Sequence, residues 1–477
     1  MFEQLDSQQR LTGHQRLVVS TAIIADVLEF FDYFLIGFVL PLITKTWSLN
    51  FLQGAIIFLS SGIGALVGAY LWGYIADRSG RRLVFIATVI TFSIATGLMA
   101  LTPENSWLFL SVCRVGVGFG FGGLYAVDLT LVQEFIPTSR RGFISGLVTV
   151  FVPFGTVLGS LLGASLSPSI GWRGLFVIGL LPALFSLAIR TWIPESPRWL
   201  LRNGKPEAAR RSMAWALEIP LEQVRLPEQI ADTSIERTKW SELFQHPRSV
   251  ALSWLGNLGM QTGAYGVVLW YPTLLFLILK SHDKSTTVQT SLYLGILVSL
   301  GGFVGRLLFS YLSERIGRRI SSIIVCSGAA IMVFLSALFS RNFAGSIPVF
   351  LLLLIGAYIF VDGGFSVIGP YSAEVWPARL RASGMGSAYG FGGFGKIIGP
   401  LGLALIVGAS NPVNPAASLK GLLPAFAFLA AFYVFGALVY AVLGFETRGR
   451  SIEELDQTLS SENASEATST NLAATTD

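Results

Sequence analysis

Hydrophobic runs of about 20 residues recur along almost the whole chain, and short polar segments separate them. A run of this length spans the apolar core of a bilayer as an α-helix. The pattern therefore predicts an all-α integral membrane protein with twelve transmembrane helices. These are predicted at about 17–44, 52–76, 83–101, 107–130, 143–166, 172–193, 249–279, 289–313, 320–339, 346–369, 384–408 and 421–444.

Positive charges between the runs predict the orientation of the chain. With the N-terminus in the cytoplasm, 24 of the 33 Lys and Arg residues fall in cytoplasmic segments and 6 fall on the opposite side. Cytoplasmic loops carry such an excess. Both termini are therefore predicted to be cytoplasmic, in a multi-pass protein of the cell (inner) membrane.

Composition excludes several classes of function. Of the 477 residues, 52% are hydrophobic and 13% are charged, whereas soluble domains carry about 25% charged residues. A soluble enzyme, a disordered scaffold and a nucleic-acid binder are excluded, and the loop arginines account for the net charge of +5. Cys113 and Cys326 lie in apolar stretches without metal-ligand neighbours, so no metal site or other cofactor is expected. No nucleotide-binding loop is visible, which leaves a proton gradient as the expected energy source.

Two motifs occur twice, at matching distances. Residues 73–82 match residues 310–319 with an offset of 237, and Glu134-Phe-Ile-Pro137 with Arg141 matches Glu374-Val-Trp-Pro377 with Arg381 with an offset of 240. Duplication of a six-helix unit is common in transporters, where the substrate site lies between the two units. The predicted division is an N-terminal six-helix bundle (1–194), a cytoplasmic central loop (195–248), a C-terminal six-helix bundle (249–446) and a largely disordered tail (447–477). A pseudo-two-fold repeat is expected to relate the bundles.

The repeated motifs place opposite charges next to helix ends. Such clusters can join neighbouring helices in one conformation and release them in another. For a single copy, arginines that only set topology would explain the charges equally well, but two matched copies favour the gating interpretation. The predicted cytoplasmic gating residues are Asp77, Arg78, Arg81, Arg82, Glu134, Arg141, Glu314, Arg315, Arg318, Arg319, Glu374 and Arg381.

Ionisable residues within the predicted spans are candidate functional residues, since a charge at mid-bilayer costs at least about 2.5–3.5 kcal/mol. Asp26, Glu29 and Asp32 are spaced by three in helix 1, so neighbouring pairs share a helix face. Three carboxylates this close do not all ionise easily, which suits proton coupling by Asp32 and Glu29. A structural pair with Arg114 is the alternative for one of them. Asp128 is assigned to the cytoplasmic gate, with a cationic substrate as its alternative, and Arg306 is given a structural role.

A second group of residues is predicted to bind substrate. Lys396 in helix 11 is a candidate partner for a substrate carboxylate, with a pair to Asp362 or contact with the interface as alternatives. Asn257, Gln261 and Tyr265 form one polar stripe on helix 7, which suits either a solute or a helix–helix contact. The remaining candidates are the aromatic residues Trp270 and Tyr371.

Several motifs resemble the major facilitator superfamily, in the branch of sugar porters and organic-ion transporters. The similarity covers nearly all of residues 17–450. It rests on Arg114 with the Gly-rich turns after it, Glu134-x-x-Pro137-x-x-x-Arg141-Gly142, Trp172-Arg173, Pro194-Glu-Ser-Pro-Arg-Trp-Leu200 and Glu446-Thr-Arg-Gly449, where Phe445 replaces the usual Pro. By this resemblance, Arg114 is expected to partner a helix 1 carboxylate in proton coupling.

Other residues of the resemblance concern the substrate. Helix 7 reads Gly256-Asn-Leu-Gly-Met-Gln-Thr-Gly263, without the Gln-Leu-Ser motif of sugar porters, and helix 10 lacks their Trp. Helix 1, with Glu29-Phe-Phe-Asp32, resembles metabolite:proton symporters, which move carboxylates and zwitterions. These features argue against a hexose.

The expected function is proton-coupled symport of a small organic acid by alternating access, with an aromatic carboxylate as one option. The chain is expected to act as a monomer in the bilayer, with protons and a small-molecule substrate as partners and no nucleic acid. It is not expected to be an enzyme. Alternatives within the same superfamily are transport of a sugar, polyol, betaine or organic cation. Alternatives of another class are a channel-like facilitator and a nutrient sensor.

Overall fold

The computed structural model describes residues 2–44, 46–225, 240–377 and 380–448. The side chains of Asp77 and Asp128 and the predicted tail beyond residue 448 lie outside this description, so the roles assigned to them stay predictions. Elsewhere the described chain is almost entirely helical.

The first half of the chain consists of α-helices that follow the predicted order. They are α1 (Phe2–Asp6), α2 (Gly13–Ile43), α3 (Phe51–Ser79), α4 (Arg81–Met99), α5 (Trp107–Phe135), α6 (Arg141–Val150), α7 (Pro153–Ile178) and α8 (Leu181–Trp192). Short helices α9 (Pro197–Arg202), α10 (Pro206–Leu217) and α11 (Trp240–Leu243) follow in the central loop.

The second half repeats this arrangement. Its helices are α12 (Pro247–His282), α13 (Val288–Ile316), α14 (Arg318–Leu338), α15 (Val349–Glu374), α16 (Arg381–Gly392), α17 (Gly395–Val407) and α18 (Pro415–Leu443). A two-stranded antiparallel pair, β1 (Phe343–Ala344) with β2 (Ile347–Pro348), joins α14 to α15.

Helices occupy the positions of all twelve predicted runs, but fewer stretches have both the length and the hydropathy of a membrane span. Within the described residues, nine helical stretches meet both requirements. Those nine do not include α2, α5 or α8. The described residues thus contain nine candidate spans, and the count of twelve remains a proposal.

The two predicted offsets also relate packing contacts in the two halves. A Cβ added to Gly68 on α3 would lie 2.1 Å from the carbonyl oxygen of Phe119 on α5. A Cβ added to Gly305 on α13 would lie 2.1 Å from the carbonyl oxygen of Ile359 on α15. Since Gly305 and Ile359 follow Gly68 and Phe119 by 237 and 240 residues, the same close helix contact occurs once in each half.

The two halves meet tightly at one end of the molecule. There, the segment before α3 forms backbone hydrogen bonds with the segment before α18. The Val413 amide donates to the Leu49 carbonyl (3.0 Å), and the amides of Phe51 and Leu52 donate to the carbonyls of Asn411 and Ala409 (both 3.1 Å). We call this pairing of residues 49–52 with 409–413 the clasp.

The N-terminus and the central loop form a small unit at the opposite end. Leu5 of α1 packs with Leu200, Met213 and Leu217 in a separate apolar cluster. Asp6 accepts hydrogen bonds from the backbone amide (2.7 Å) and the hydroxyl (2.8 Å) of Thr138. Although partial burial raises the pKa of Asp6, these bonds outweigh it and lower the pKa below its ordinary value. This unit fastens the start of α2 to the α5–α6 connection.

Candidate functional site

The three carboxylates predicted in helix 1 are all buried in α2. Asp26, Glu29 and Asp32 expose 3%, 1% and 0% of their surface. The Thr96 hydroxyl on α4 faces Asp32. Among the described residues, however, neither Asp32 oxygen has a partner at hydrogen-bond distance, and the Thr96 hydroxyl also has none. Among the described residues, Asp32 is therefore a buried carboxyl group that faces the Thr96 hydroxyl but has no partner at hydrogen-bond distance.

Arg114 is fully buried on α5, which packs directly against α2, the helix of Asp32. Its Nη1 donates to the backbone carbonyl of Tyr33 (3.0 Å), and its Nη2 donates to the Ser61 hydroxyl on α3 (2.7 Å). The Tyr33 ring lies 5.1 Å from the guanidinium carbon. Within the described part of the chain, Arg114 and Asp32 form no ion pair, although the charge of Arg114 acts on Asp32. The resemblance led us to expect that Arg114 partners a helix 1 carboxylate. In this conformation Arg114 is near Asp32 but does not bind it directly, among the described residues.

Lys396 lies in the first turn of α17 and points into a group of aromatic rings from both halves. Its Nζ is 4.8 Å from the ring centre of Phe121, 5.0 Å from that of Tyr265 and 6.0 Å from that of Tyr33. Glu29 is the carboxylate whose charge acts on this ammonium group. We call Lys396 with these three rings the aromatic cage. Its chemistry suits a planar ligand with a carboxylate, since the rings can stack on the plane and the ammonium can pair with the charge.

The alternative pair between Lys396 and Asp362 is not the arrangement in this structure. Asp362 on α15 instead accepts two hydrogen bonds from Arg306 on α13, from Nη2 (3.0 Å) and from Nε (3.2 Å). The sequence interpretation did not pair these two residues. Their positions in helices 8 and 10 gave a usable signal, because α13 packs against α15 in the second half as α3 packs against α5 in the first.

The polar stripe of α12 splits between two environments. Asn257 donates to the Ser253 carbonyl (2.8 Å) and to the Ser372 hydroxyl on α15 (2.7 Å), as in a helix–helix contact. Gln261 lies 3.5 Å from Asn257, against the break between α16 and α17. Tyr265, one turn further, belongs to the aromatic cage.

Trp270 and Tyr371 lie away from the aromatic cage. Trp270 packs against Phe51 and Phe58 from the other half, close to the clasp, and its indole nitrogen donates to the Pro400 carbonyl (3.3 Å). The Tyr371 hydroxyl donates to the carbonyl of Phe445 (2.5 Å) and accepts from its amide (3.0 Å). These contacts place Trp270 at a closure between the halves and Tyr371 at a helix end.

The predicted gating cluster of the first half is built around Arg81. Its Nε lies 3.1 Å from Glu134 Oε1. Glu195, which the sequence interpretation did not select, accepts from the backbone amides of Arg81 and Arg82 (both 3.1 Å) and so covers the start of α4. Ser196 donates to Glu134 and joins the two acids.

The second half repeats this cluster around Arg318. Arg318 contacts Glu314 (2.5 Å) and Glu374 (3.3 Å). Its backbone amide donates to Glu446 (2.8 Å), which takes the place that Glu195 has in the first half. The matching positions of Glu195 and Glu446, each just after the last helix of its half, were the signal available in the sequence.

Other predicted gating residues have separate contacts. Arg78 stacks on Tyr74 (4.0 Å), and Arg315 stacks on Tyr311 (4.7 Å). Three further predicted gating arginines have other surroundings. Arg141 donates to Ile136 (3.2 Å) and Arg319 to Ala441 (2.6 Å), and Arg381 is partly buried. Among the described residues, the ion pairs of these clusters join helices within one half.

Comparison with known proteins establishes the family. The chain matches the family described as "Sugar (and other) transporter" over residues 18–459. It belongs to this family of the major facilitator superfamily, and the superfamily fold expected from the motifs is confirmed. The protein is therefore a multi-pass membrane transporter with a small-molecule substrate, not an enzyme.

Similar proteins include transporters of different solutes. The chain is 29% identical to the niacin transporter NiaP of Acinetobacter baylyi, over 89% of this chain and 92% of that protein. It is 28% identical to the probable 4-methylmuconolactone transporter of Cupriavidus pinatubonensis, over 90% of each chain. The structure of the proton:xylose symporter XylE bound to 6-bromo-6-deoxy-D-glucose superposes with a TM-score of 0.70 at 19% identity, over 94% of this chain and 100% of that chain.

Proposed function

We propose that this protein is a proton-coupled symporter of a small organic acid, of the aromatic carboxylate kind, that works by alternating access. It has twelve spans in two bundles, 1–194 and 249–446, joined by the cytoplasmic loop 195–248. Both termini are cytoplasmic, the chain acts as a monomer in the inner membrane, and the clasp faces outward. The observation that carries the proposal is the buried carboxyl group of Asp32, which lies beside Arg114 without a hydrogen-bond partner among the described residues.

Asp32 is the proposed proton carrier. A carboxylate charge is costly in a fully buried site where no described residue donates a hydrogen bond, so in this proposal Asp32 holds a proton in this conformation. Arg114 is already bound to Tyr33 and Ser61, and it is close enough to stabilise the charge once the proton leaves. Release of the proton toward the cytoplasmic end, opposite the clasp, then makes an Asp32–Arg114 pair available. Glu29 couples this step to substrate, because its charge also acts on Lys396.

The aromatic cage is the proposed substrate site, with Gln261 beside it. The ammonium of Lys396 pairs with the substrate carboxylate, while Tyr33, Phe121 and Tyr265 stack on its ring. Phe121 and Tyr33 belong to the first half, whereas Tyr265 and Lys396 belong to the second, so a bound ring contacts both halves. Two relatives named for niacin and 4-methylmuconolactone transport support a small cyclic acid or its lactone as the class of substrate.

Uptake into proteoliposomes tests proton coupling. With nicotinate as the labelled probe and an inward proton gradient, the native protein is expected to accumulate substrate. Asp32→Asn is expected to lower this accumulation at least about tenfold, since the amide carries no proton, while exchange of substrate between the two sides continues. Asp283→Asn, in an exposed loop, is the matched control. Gradient-driven accumulation by Asp32→Asn at the native level would contradict the proposal.

The aromatic cage also supports a second candidate substrate, an organic cation or betaine. Aromatic rings bind quaternary ammonium groups, and Glu29 supplies a carboxylate in the same region. Competition separates the candidates. If betaine or carnitine, but no aromatic acid, displaces a bound probe, the second candidate is favoured.

A further inference from the structure

Arg306 on α13 contacts both halves of the molecule. It is buried, with 4% of its surface exposed. Within its own half, Nη2 and Nε bind one oxygen of Asp362 on α15. Toward the other half, Nη1 donates to the backbone carbonyl of Thr149, in the last turn of α6, at 2.6 Å. One guanidinium group therefore joins an acid of one half to the backbone of the other.

The Thr149 carbonyl is available because of Pro153. In a continuous helix, the amide of residue 153 would donate to this carbonyl, but proline has no N–H. The helix is interrupted at this point, and α6 ends at Val150 before α7 begins at Pro153. The carbonyl also accepts from the Phe151 amide and, at 3.3 Å, from the Val152 amide, and Arg306 donates to it from the side where the amide of residue 153 would otherwise lie. Pro153 thus creates an acceptor that faces the other half.

This contact belongs to a series that joins α13 to α6 and α7. Nearest the clasp, Gln289 donates to Ser167 (3.1 Å). Further along, the rings of Phe154 and Phe303 lie 5.0 Å apart. The Arg306–Thr149 bond comes next, one turn of α13 beyond Phe303. Beyond this bond, α6 and α13 lead to the gating clusters of separate halves.

We propose that Arg306 is a positioning residue that holds the outward-closed conformation by tying α13 to the α6–α7 break. Contacts within one half persist when the halves rock, so the Arg306–Asp362 pair is retained and keeps the guanidinium aligned. The hydrogen bond to Thr149 joins the two halves at 2.6 Å. A relative movement of the halves lengthens this distance, so the bond breaks when the clasp end opens. The inference rests on the proposed alternating access but not on the proton carrier or the substrate.

Distance measurements between spin labels at the clasp end test this role. Labels are attached to Glu104→Cys and Lys284→Cys, exposed positions on different halves, after Cys113 and Cys326 are replaced by alanine. Arg306→Lys is expected to shift the distribution toward the longer, outward-open distance, because an ammonium cannot contact Asp362 and Thr149 together. Loss of a hydrogen bond from a charged donor is expected to change the ratio of conformations about tenfold or more.

Two further variants separate this role from a general structural one. Pro153→Ala restores an amide that competes for the Thr149 carbonyl, so it is expected to cause the same shift without changing any charge. Thr149→Ala alters only the side chain, whose hydroxyl bonds locally to Gly146, and is expected to leave the distribution unchanged. Native distributions in both folded Arg306→Lys and folded Pro153→Ala would overturn the inference. No transport is measured, so this result is independent of the uptake test on Asp32.

Discussion

Lys396 places a positive charge among three aromatic side chains at the junction of the two halves. The ring centres of Phe121 and Tyr265 lie within 5.0 Å of its ammonium group, which is cation–π distance. In the absence of substrate, the rings stabilise this charge where solvent is scarce. A substrate carboxylate would replace that interaction with a stronger one, so a single residue would select for anions.

Substitution of Lys396 tests this selection. Lys396→Gln is expected to weaken nicotinate binding about ten- to a hundredfold, since it removes a partly buried charge partner. Binding of the neutral amide nicotinamide is expected to change much less, and Lys420→Gln, at an exposed position, serves as the control. Isothermal titration of the purified variants measures both. Equal losses of affinity for the acid and the amide would show that Lys396 does not bind the substrate carboxylate.

Single residues also show how far sequence reasoning extends. The spacing of Asp26, Glu29 and Asp32 predicts three acids close together in one helix, and all three are buried in α2. The acceptors of Arg114 could not be predicted in this way. They are a hydroxyl on α3 and a backbone carbonyl on α2, and the relative rotation of three helices selects them.

At the scale of the helices, glycines determine which pairs pack closely, because they let two backbones approach each other. A Cβ added to Gly118 on α5 would lie 1.9 Å from the Ser61 carbonyl oxygen on α3. Ser61 is also the residue whose hydroxyl binds Arg114. Helix packing and the candidate proton site are therefore joined at one contact.

Gly118→Ala is expected to separate α3 from α5 and to destabilise the protein by about 1–3 kcal/mol, the usual cost of overpacking. Thermal unfolding in detergent measures this loss. Gly146→Ala on α6 is the matched control, because no atom lies within 4 Å of the added Cβ. An unfolding temperature of Gly118→Ala equal to that of the control would contradict this account of the α3–α5 contact.

The interrupted helices were only partly predictable. The hydrophobic runs at 143–166 and 384–408 predict single spans, whereas the structure divides them into α6 with α7 and α16 with α17. Hydropathy does not register a backbone break, because the residues on both sides remain apolar. Pro153 and the glycines at 392, 393 and 395 mark these breaks locally, since proline removes a donor and glycine lowers the cost of leaving the helix.

For the whole molecule, the repeat could be predicted and the contact between its halves could not. The offsets of 237 and 240 in the sequence recur in the glycine contacts of α3 with α5 and of α13 with α15. The clasp instead joins segments near residues 50 and 412, which share no motif. Its backbone hydrogen bonds depend on how the two halves are placed in this conformation, and a sequence compatible with several placements does not specify one.

The clasp predicts that a cross-link between its segments stops transport. Asn50 and Pro412 are paired across the antiparallel bridge, and the bonds Val413–Leu49 and Phe51–Asn411 flank them. This is the non-hydrogen-bonded arrangement, with Cα atoms typically about 4.5 Å apart, which a disulfide can span. In a background without Cys113 and Cys326, Asn50→Cys with Pro412→Cys is expected to lose uptake on oxidation and to regain it on reduction.

Each single cysteine variant should transport under both conditions, and any loss of the Asn50 cap on α3 affects both redox states equally. Unchanged uptake by the oxidised, cross-linked protein would mean that the clasp end does not need to open for transport.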